Sequence, residues 1–112
     1  MRQLPRREDV YWVALNSTIG SEIKKTRPAM IVLNNSRHTF GTRVVVLPLT
    51  SHVDSVYPVE AMVVLNGKPA RVLGEQIRSV DKSRLRSRID TLSHEELAAV
   101  DEALRITLAL QP

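Results

Sequence analysis

Every apolar run in the first two-thirds of this 112-residue sequence is cut off by proline, glycine, asparagine or aspartate before it reaches the length of a buried helix. Val10–Leu15 ends at Asn16, and Ala29–Leu33 follows Pro28 and ends at Asn34-Asn35-Ser36. Thr42–Leu47, rich in β-branched residues, runs into Pro48, and Val59–Leu65 runs into Asn66-Gly67. Ala70–Leu73 stops at Gly74, and Gln76–Val80 at Asp81. Runs this short and this rich in valine and isoleucine suit pleated strands. Pro48 predicts the end of regular pairing or a bulge, since it has no N–H to give to a ladder. Asn66-Gly67 predicts a two-residue hairpin, because both residues accept positive φ. Gly74 predicts a bulge inside one long strand that Gln76–Val80 completes.

The runs carry apolar residues on both faces. An open sheet with one wet face would alternate more cleanly, so the pattern predicts a small closed or half-open β-barrel with short turns. One connection is long: Asn16–Thr26, eleven residues, the length at which loops often carry function. The chain ends in a helix. Ser93-His94-Glu95-Glu96 is a capping box, with Leu92 and Leu97 placed as its staple. Leu97, Val100, Leu104 and Leu108 make one apolar stripe. A shorter helical turn is predicted from Asp81 through Lys82-Ser83-Arg84. The whole, residues 1–112, reads as one mainly β domain with a C-terminal α-helix.

There is no cysteine, which excludes disulfides, thiolate metal sites and thiol nucleophiles. No stretch has the length of a membrane span or a signal peptide, so the expectation is a cytoplasmic protein. Of the 16 Lys+Arg, twelve are arginine, the side chain whose fork fits phosphate and carboxylate. Residues 78–88 hold Arg78, Lys82, Arg84, Arg86 and Arg88 against Asp81 alone, whereas 89–112 hold Arg105 against five acids. Such a patch is either a solvated surface or a seat for an anionic partner. Aromatics are 4% (Tyr11, Trp12, Phe40, Tyr57), too few for a sheet that binds RNA mainly by stacking.

His38, His52 and His94 share no ligand spacing, and the acidic pairs 95–96 and 101–102 fall on a surface helix, so no metal cofactor is expected. Thr50-Ser51-His52 is adjacent in sequence, which is not a triad; in an extended chain Thr50 and His52 would share a face. Arg27, between the long loop and the Pro28 strand, and Thr50, at the end of another strand, each fall where a strand leaves the barrel. They read either as a snorkelling arginine and a turn threonine or as a paired site on the rim.

Six segments, in this order, carry a resemblance. They are Asp9-Val-Tyr-Trp-Val, Gly20-Ser-Glu-Ile-Lys-Lys-Thr-Arg-Pro28, Pro48-Leu-Thr-Ser51, Tyr57-Pro58, Gln76-Ile-Arg-Ser-Val-Asp-Lys-Ser-Arg-Leu85 and Leu92-Ser-His-Glu-Glu-Leu97. Together they resemble the MazF/PemK family of toxins over nearly the whole chain. The resemblance implies a CcdB/PemK-type, Src-homology-3-like half-open barrel. It implies a homodimeric, sequence-specific endoribonuclease that cuts single-stranded RNA without a metal and is neutralised by a MazE-like antitoxin. It implies Arg27 as the principal catalytic residue and Thr50 as the second. It implies that Ser21, Glu22, Glu75 and Gln76 line the RNA groove; Lys24, Lys25 and Ser51 are further RNA-binding candidates. The chain departs from the family pattern in Glu8, where glycine is frequent, and in Val59, where phenylalanine is frequent. Arginine keeps its proton at ordinary pH, so the resemblance's Arg27 is assigned charge stabilisation and proton donation before any role as base; Glu22 and His52 are candidates for the base. Two other readings remain open at this point: a CcdB-like toxin that binds DNA gyrase without chemistry, and a repressor-like nucleic-acid-binding module.

Overall fold

The computed structural model describes residues 5–15, 26–32, 41–53 and 60–110. Among them seven strands curl into one antiparallel half-barrel sheet, followed by a helix. The strands are β1 (Asp9–Ala14), β2 (Thr26–Ile31), β3 (Arg43–Thr50), β4 (Glu60–Leu65), β5 (Lys68–Leu73), β6 (Arg78–Asp81) and β7 (Leu85–Thr91), and the helix is α1 (His94–Thr107). The order across the sheet is β4-β5-β3-β2-β1-β7, with β6 also paired to β3.

The two-faced apolar runs have a direct structural cause. Met30, Leu47 and Leu49 belong to a core that also takes Ala61, Val63 and Val72 from β4 and β5 and Val100 and Ala103 from α1. Their neighbours Ala29, Ile31, Val44 and Val46 belong to a second core, with Val13 and Val80, on the other face of the same strands. β2 and β3 are therefore buried on both sides, one against the helix and one inside the curl, and neither face can be polar.

Pro48 does not end β3. The strand runs on to Thr50, and Pro48 pairs with Ala29 of β2. On its other edge β3 pairs with β6 through Val46 and with β5 from Leu49. Leu47-Pro48 lies in the gap between those partners, where a missing N–H costs least. Opposite that gap the long strand expected over 70–80 breaks into β5 and β6 around a 3-10 turn, Gly74–Gln76, rather than forming a simple bulge.

The hairpin is as expected. Leu65 pairs with Lys68, and Asn66 and Gly67 take φ of 50° and 81° between them. The turn after Asp81 is also present, as a 3-10 turn over Lys82–Arg84; the Asp81 carboxylate accepts from Ser83 N at 2.8 Å, and Lys82 N donates to Thr42 O at 2.9 Å. The capping box is formed in both directions, with Ser93 Oγ accepting from Glu96 N and Glu96 Oε1 accepting from Ser93 N. Val100 and Ala103 are the buried centre of the helix and Leu97 and Leu104 flank it, but Leu108, expected at the end of the stripe, is exposed.

One strand was not foreseen. β7 (Leu-Arg-Ser-Arg-Ile-Asp-Thr) begins in the last four residues of the segment read as a basic patch and pairs with β1. Its arginines sit on the wet side: Arg86 donates to Ser83 O and Arg88 to Thr91 Oγ1. Asp9, where the resemblance begins, is buried at the foot of this pair, its carboxylate accepting from Arg6 N and Thr91 Oγ1. Burial, with the Asp9 charge beside it, pushes the Tyr11 hydroxyl above its ordinary value.

Candidate functional site

The two residues singled out from sequence lie at the ends of two neighbouring strands. Arg27 lies on β2, exposed, opposite Val13 of β1. Thr50 is the last residue of β3, half-buried, opposite Arg71 of β5. The β2–β3 ladder closes at Ala29 opposite Pro48. Extended two residues past that last pair, the register would point Arg27 toward Thr50, which itself pairs with β5. Residues two apart on a strand share a face, so Arg27 projects on the side of Ala29, and Thr50 on the side of Val46, the side of the second core. Strand alternation thus assigns both to the side of the second core, Arg27 exposed and Thr50 half-buried.

Ser51 and His52 do not continue the strand. The chain bends at Ser51, so the extended segment that would put Thr50 and His52 on one face is not formed, and His52 lies outside the strand. What reaches Thr50 is the His52 amide, which donates to Thr50 Oγ1 at 3.2 Å. In that bond the hydroxyl oxygen accepts, so its own O–H is still a donor. Both Ser51 and His52 are exposed.

Glu75 and Gln76 are exposed in the 3-10 turn, not in a strand as expected. Their position is set by the pairs that bracket them, Val72 with Leu49 on one side and Arg78 with Val46 on the other. The turn therefore stands beside Leu47-Pro48, one short step along β3 from Thr50. Ser21, Glu22, Lys24 and Lys25 lie outside the described residues.

Two roots of that long connection are visible. Arg78 Nη1 donates to Leu15 O at 3.1 Å and Arg84 Nη1 to Ala14 O at 3.0 Å, across 63 and 70 residues of sequence. Ala14 is in turn the partner of Thr26, next to Arg27. Two arginines of the basic patch thus hold the end of β1 where it meets the start of β2. Beside them a groove of about 350 Å³ is lined by Leu15, Arg43, Arg78, Ser79, Asp81 and Arg84. Arg43 donates from Nε and Nη2 to Ser79 Oγ and O along its wall.

Arg71 and Glu60 escaped the sequence reading. Arg71 stands opposite Thr50, and its Nε lies 3.2 Å from Glu60 Oε1, with both side chains largely buried. The signal was present: the two-residue hairpin fixes the β4–β5 register, which makes Glu60 and Arg71 diagonal neighbours on one face. Among the described residues no group of three His, Asp or Glu side chains is gathered as a metal site would require. Among them, too, no helix is long and apolar enough to cross a membrane.

Comparison with known proteins bears on this site. Residues 6–108 match the family model described as PemK-like, MazF-like toxin of type II toxin-antitoxin system. The chain is 35% identical to endoribonuclease MazF9 of Mycobacterium tuberculosis, over 94% of this chain and 97% of that protein. It is 33% identical to endoribonuclease EndoA of Bacillus subtilis, over 94% and 95%. Among solved structures, a mycobacterial endoribonuclease in complex with its cognate antitoxin superposes with a TM-score of 0.81 at 24% identity, over 96% of this chain and 98% of that one. A MazE–MazF complex from Deinococcus radiodurans gives 0.83 at 23% identity, over 98% and 100%. These last two likenesses show the fold.

Proposed function

The chain belongs to the PemK-like, MazF-like family of toxins of type II toxin–antitoxin systems, and from that premise we propose that it is an endoribonuclease cutting single-stranded RNA at a short sequence through the RNA's own 2′-hydroxyl. Two relatives above 30% identity over nearly their whole length are named endoribonucleases, which favours chemistry over the gyrase-binding and repressor readings. The observation that supports the reading is the β2–β3 register, which, extended two residues past Ala29 and Pro48, points Arg27 toward Thr50.

In this reaction the 2′-oxygen attacks phosphorus and the 5′-oxygen leaves. The 2′-hydroxyl gives its proton to a base, and the 5′-oxygen receives one. The products are a 2′,3′-cyclic phosphate and a 5′-hydroxyl, and DNA, lacking the nucleophile, is inert. Extra negative charge gathers on the non-bridging oxygens in the transition state. Arg27 opposes it through forked N–H donors, a geometry suited to phosphate. Thr50, its oxygen already held by the His52 amide, donates its proton to a phosphate oxygen. Glu22 and His52 are the candidates for the base. Ser21, Lys24, Lys25, Ser51, Glu75 and Gln76 would line the groove that holds the flanking nucleotides. No step uses a metal.

The same reading makes the protein a cytoplasmic homodimer with the RNA groove across the two copies. It is neutralised by a MazE-like antitoxin whose acidic segment covers the basic surface in competition with RNA.

The test is cleavage of a long single-stranded RNA in EDTA, with the 3′ ends mapped. Discrete cuts ending in cyclic phosphate are expected from the wild type. Losing one charge-stabilising donor typically lowers the rate by about 100- to 1,000-fold, the effect expected for Arg27→Ala. Thr50→Ala gives the smaller loss of a neutral donor, about tenfold. A requirement for added magnesium, or full activity in Arg27→Ala, would overturn the mechanism. Intact RNA at high concentrations of folded wild type would return the question to the binding readings.

A further inference from the structure

The rim does not stop at Thr50. Reading across the strands, the register gives Val13 on β1, Arg27 on β2, Thr50 on β3, Arg71 on β5 and Met62 on β4. Facing residues of antiparallel strands project to the same side. Val72, the neighbour of Arg71, points into the core beneath α1, so Arg71 points the other way, with Thr50. We infer that Arg71 is a second phosphate-binding residue of this rim. It stands one strand beyond Thr50 and contacts the RNA phosphate next to the one that Arg27 and Thr50 act on.

Three observations carry this. Arg27 and Arg71 flank Thr50 on either side, on strands about 10 Å apart, a span that two long side chains close around adjacent phosphates of one strand. The Glu60 carboxylate grips Arg71 from the Nε side at 3.2 Å. That ion pair and the burial of the side chain restrict Arg71 in advance, so less side-chain entropy is lost when an anion arrives. Finally, the pair sits at a site boundary rather than in either core: Glu60 opens β4, and Arg71 side-chain exposure is 17% against 10% for Glu60. Of the two partners, the cation is turned further toward solvent.

The inference rests on the RNA-cleaving reading for its ligand but not for its test. The probe is a mixed-sequence, 2′-O-methyl single-stranded oligoribonucleotide, which has no nucleophile and cannot be cut. Its binding to full-length wild type, Arg71→Gln, Arg71→Lys and Glu60→Gln is measured as a function of salt. RNA cleavage by the same preparations is scored separately. Losing one phosphate contact on a single strand lowers the slope of log K against log salt by about 0.7. That decrease is expected for Arg71→Gln, with KM for RNA cleavage raised about tenfold and kcat changed less. Arg71→Lys keeps the charge and the slope. Glu60→Gln keeps the guanidinium and the slope, although it loosens the rim. If Arg71 served only to neutralise Glu60, Arg71→Gln and Glu60→Gln would behave alike, lowering Tm and leaving the slope untouched. That result overturns the inference. Cleavage by wild type with an unchanged slope in Arg71→Gln removes Arg71 alone. A reduced slope without any cleavage by wild type keeps Arg71 as a phosphate contact and removes the nuclease reading, and the absence of both removes both.

Discussion

Glu96 makes two bonds with one carboxylate, so its loss should exceed that of an ordinary helix cap. Oε1 accepts from Ser93 N at 2.9 Å and completes the capping box. Oε2 accepts from Val64 N at 2.6 Å, an amide of the edge strand β4. Its own amide is capped by Ser93 Oγ at 3.1 Å. Helix and sheet edge are thereby joined through a single side chain. Ser93→Ala removes one cap acceptor, a change worth about 1 kcal/mol. Glu96→Ala removes two bonds to a charged acceptor, which at the low end of their range, appropriate to an exposed site, sums to about 2 to 3 kcal/mol. For a domain near this size 1 kcal/mol moves Tm by about 4 °C. Thermal unfolding should then show a decrease of about 4 °C for Ser93→Ala and about 8 to 12 °C for Glu96→Ala. Glu96→Gln falls between them, since its amide has one acceptor oxygen for two donors. The double variant should lose less than the sum, because the box is reciprocal. RNA cleavage below the transition should be unchanged, as Glu96 is not on the Arg27 rim. If Glu96→Ala is no more destabilised than Ser93→Ala, the bond to Val64 contributes nothing and the argument fails.

Two further predictions concern the scaffold. Leu49 is 1% exposed beneath α1 and adjoins Thr50. Leu49→Ala should cost about 3 kcal/mol, read as a lower urea midpoint at constant m; a loss under 1 kcal/mol would show that the core beneath the rim refills. Asp90 accepts from Asn66 N in the hairpin turn and from Thr91 N, and these bonds, helped by the Arg88 charge, hold its carboxyl below the ordinary range against a small opposing effect of burial. A depressed carboxyl stabilises the fold above its unfolded pKa of about 3.9, and that stability disappears as pH falls through the folded value. The Tm difference between wild type and Asp90→Asn should therefore be constant at neutral pH and shrink below about pH 4; a difference unchanged down to pH 3 would refute the role of the charge.

Some of the fold was legible because its cause is local. Asn66-Gly67 takes positive φ, the Asp81 turn is closed by a carboxylate two residues from its donor, and the Ser93–Glu96 box spans three residues. The two-faced runs announced the half-barrel because burial on both sides leaves no polar face. β7 was hidden because its alternate positions are Arg86 and Arg88, whose solvent side reads as a charge run, while its pairing with β1 joins residues some 80 apart, such as Asp9 and Thr91. Pro48 was read as a strand end because sequence cannot show that β3 changes partners at that point.

For the site, the sequence by itself supplied the types of group: a guanidinium at 27, a hydroxyl at 50, no thiol, and no metal-ligand spacing. It did so because chemistry belongs to the side chain wherever it is placed. Only the tertiary structure decided which of these groups share a rim. That depends on strand register, and register is set by a contest of burial between distant strands rather than by neighbouring residues. Hence Arg27 and Thr50 fall on one side of neighbouring strands, Arg71 pairs with Thr50 and has Glu60 beside it, and Arg78 and Arg84, read as surface charge, hold the end of β1 against the start of β2.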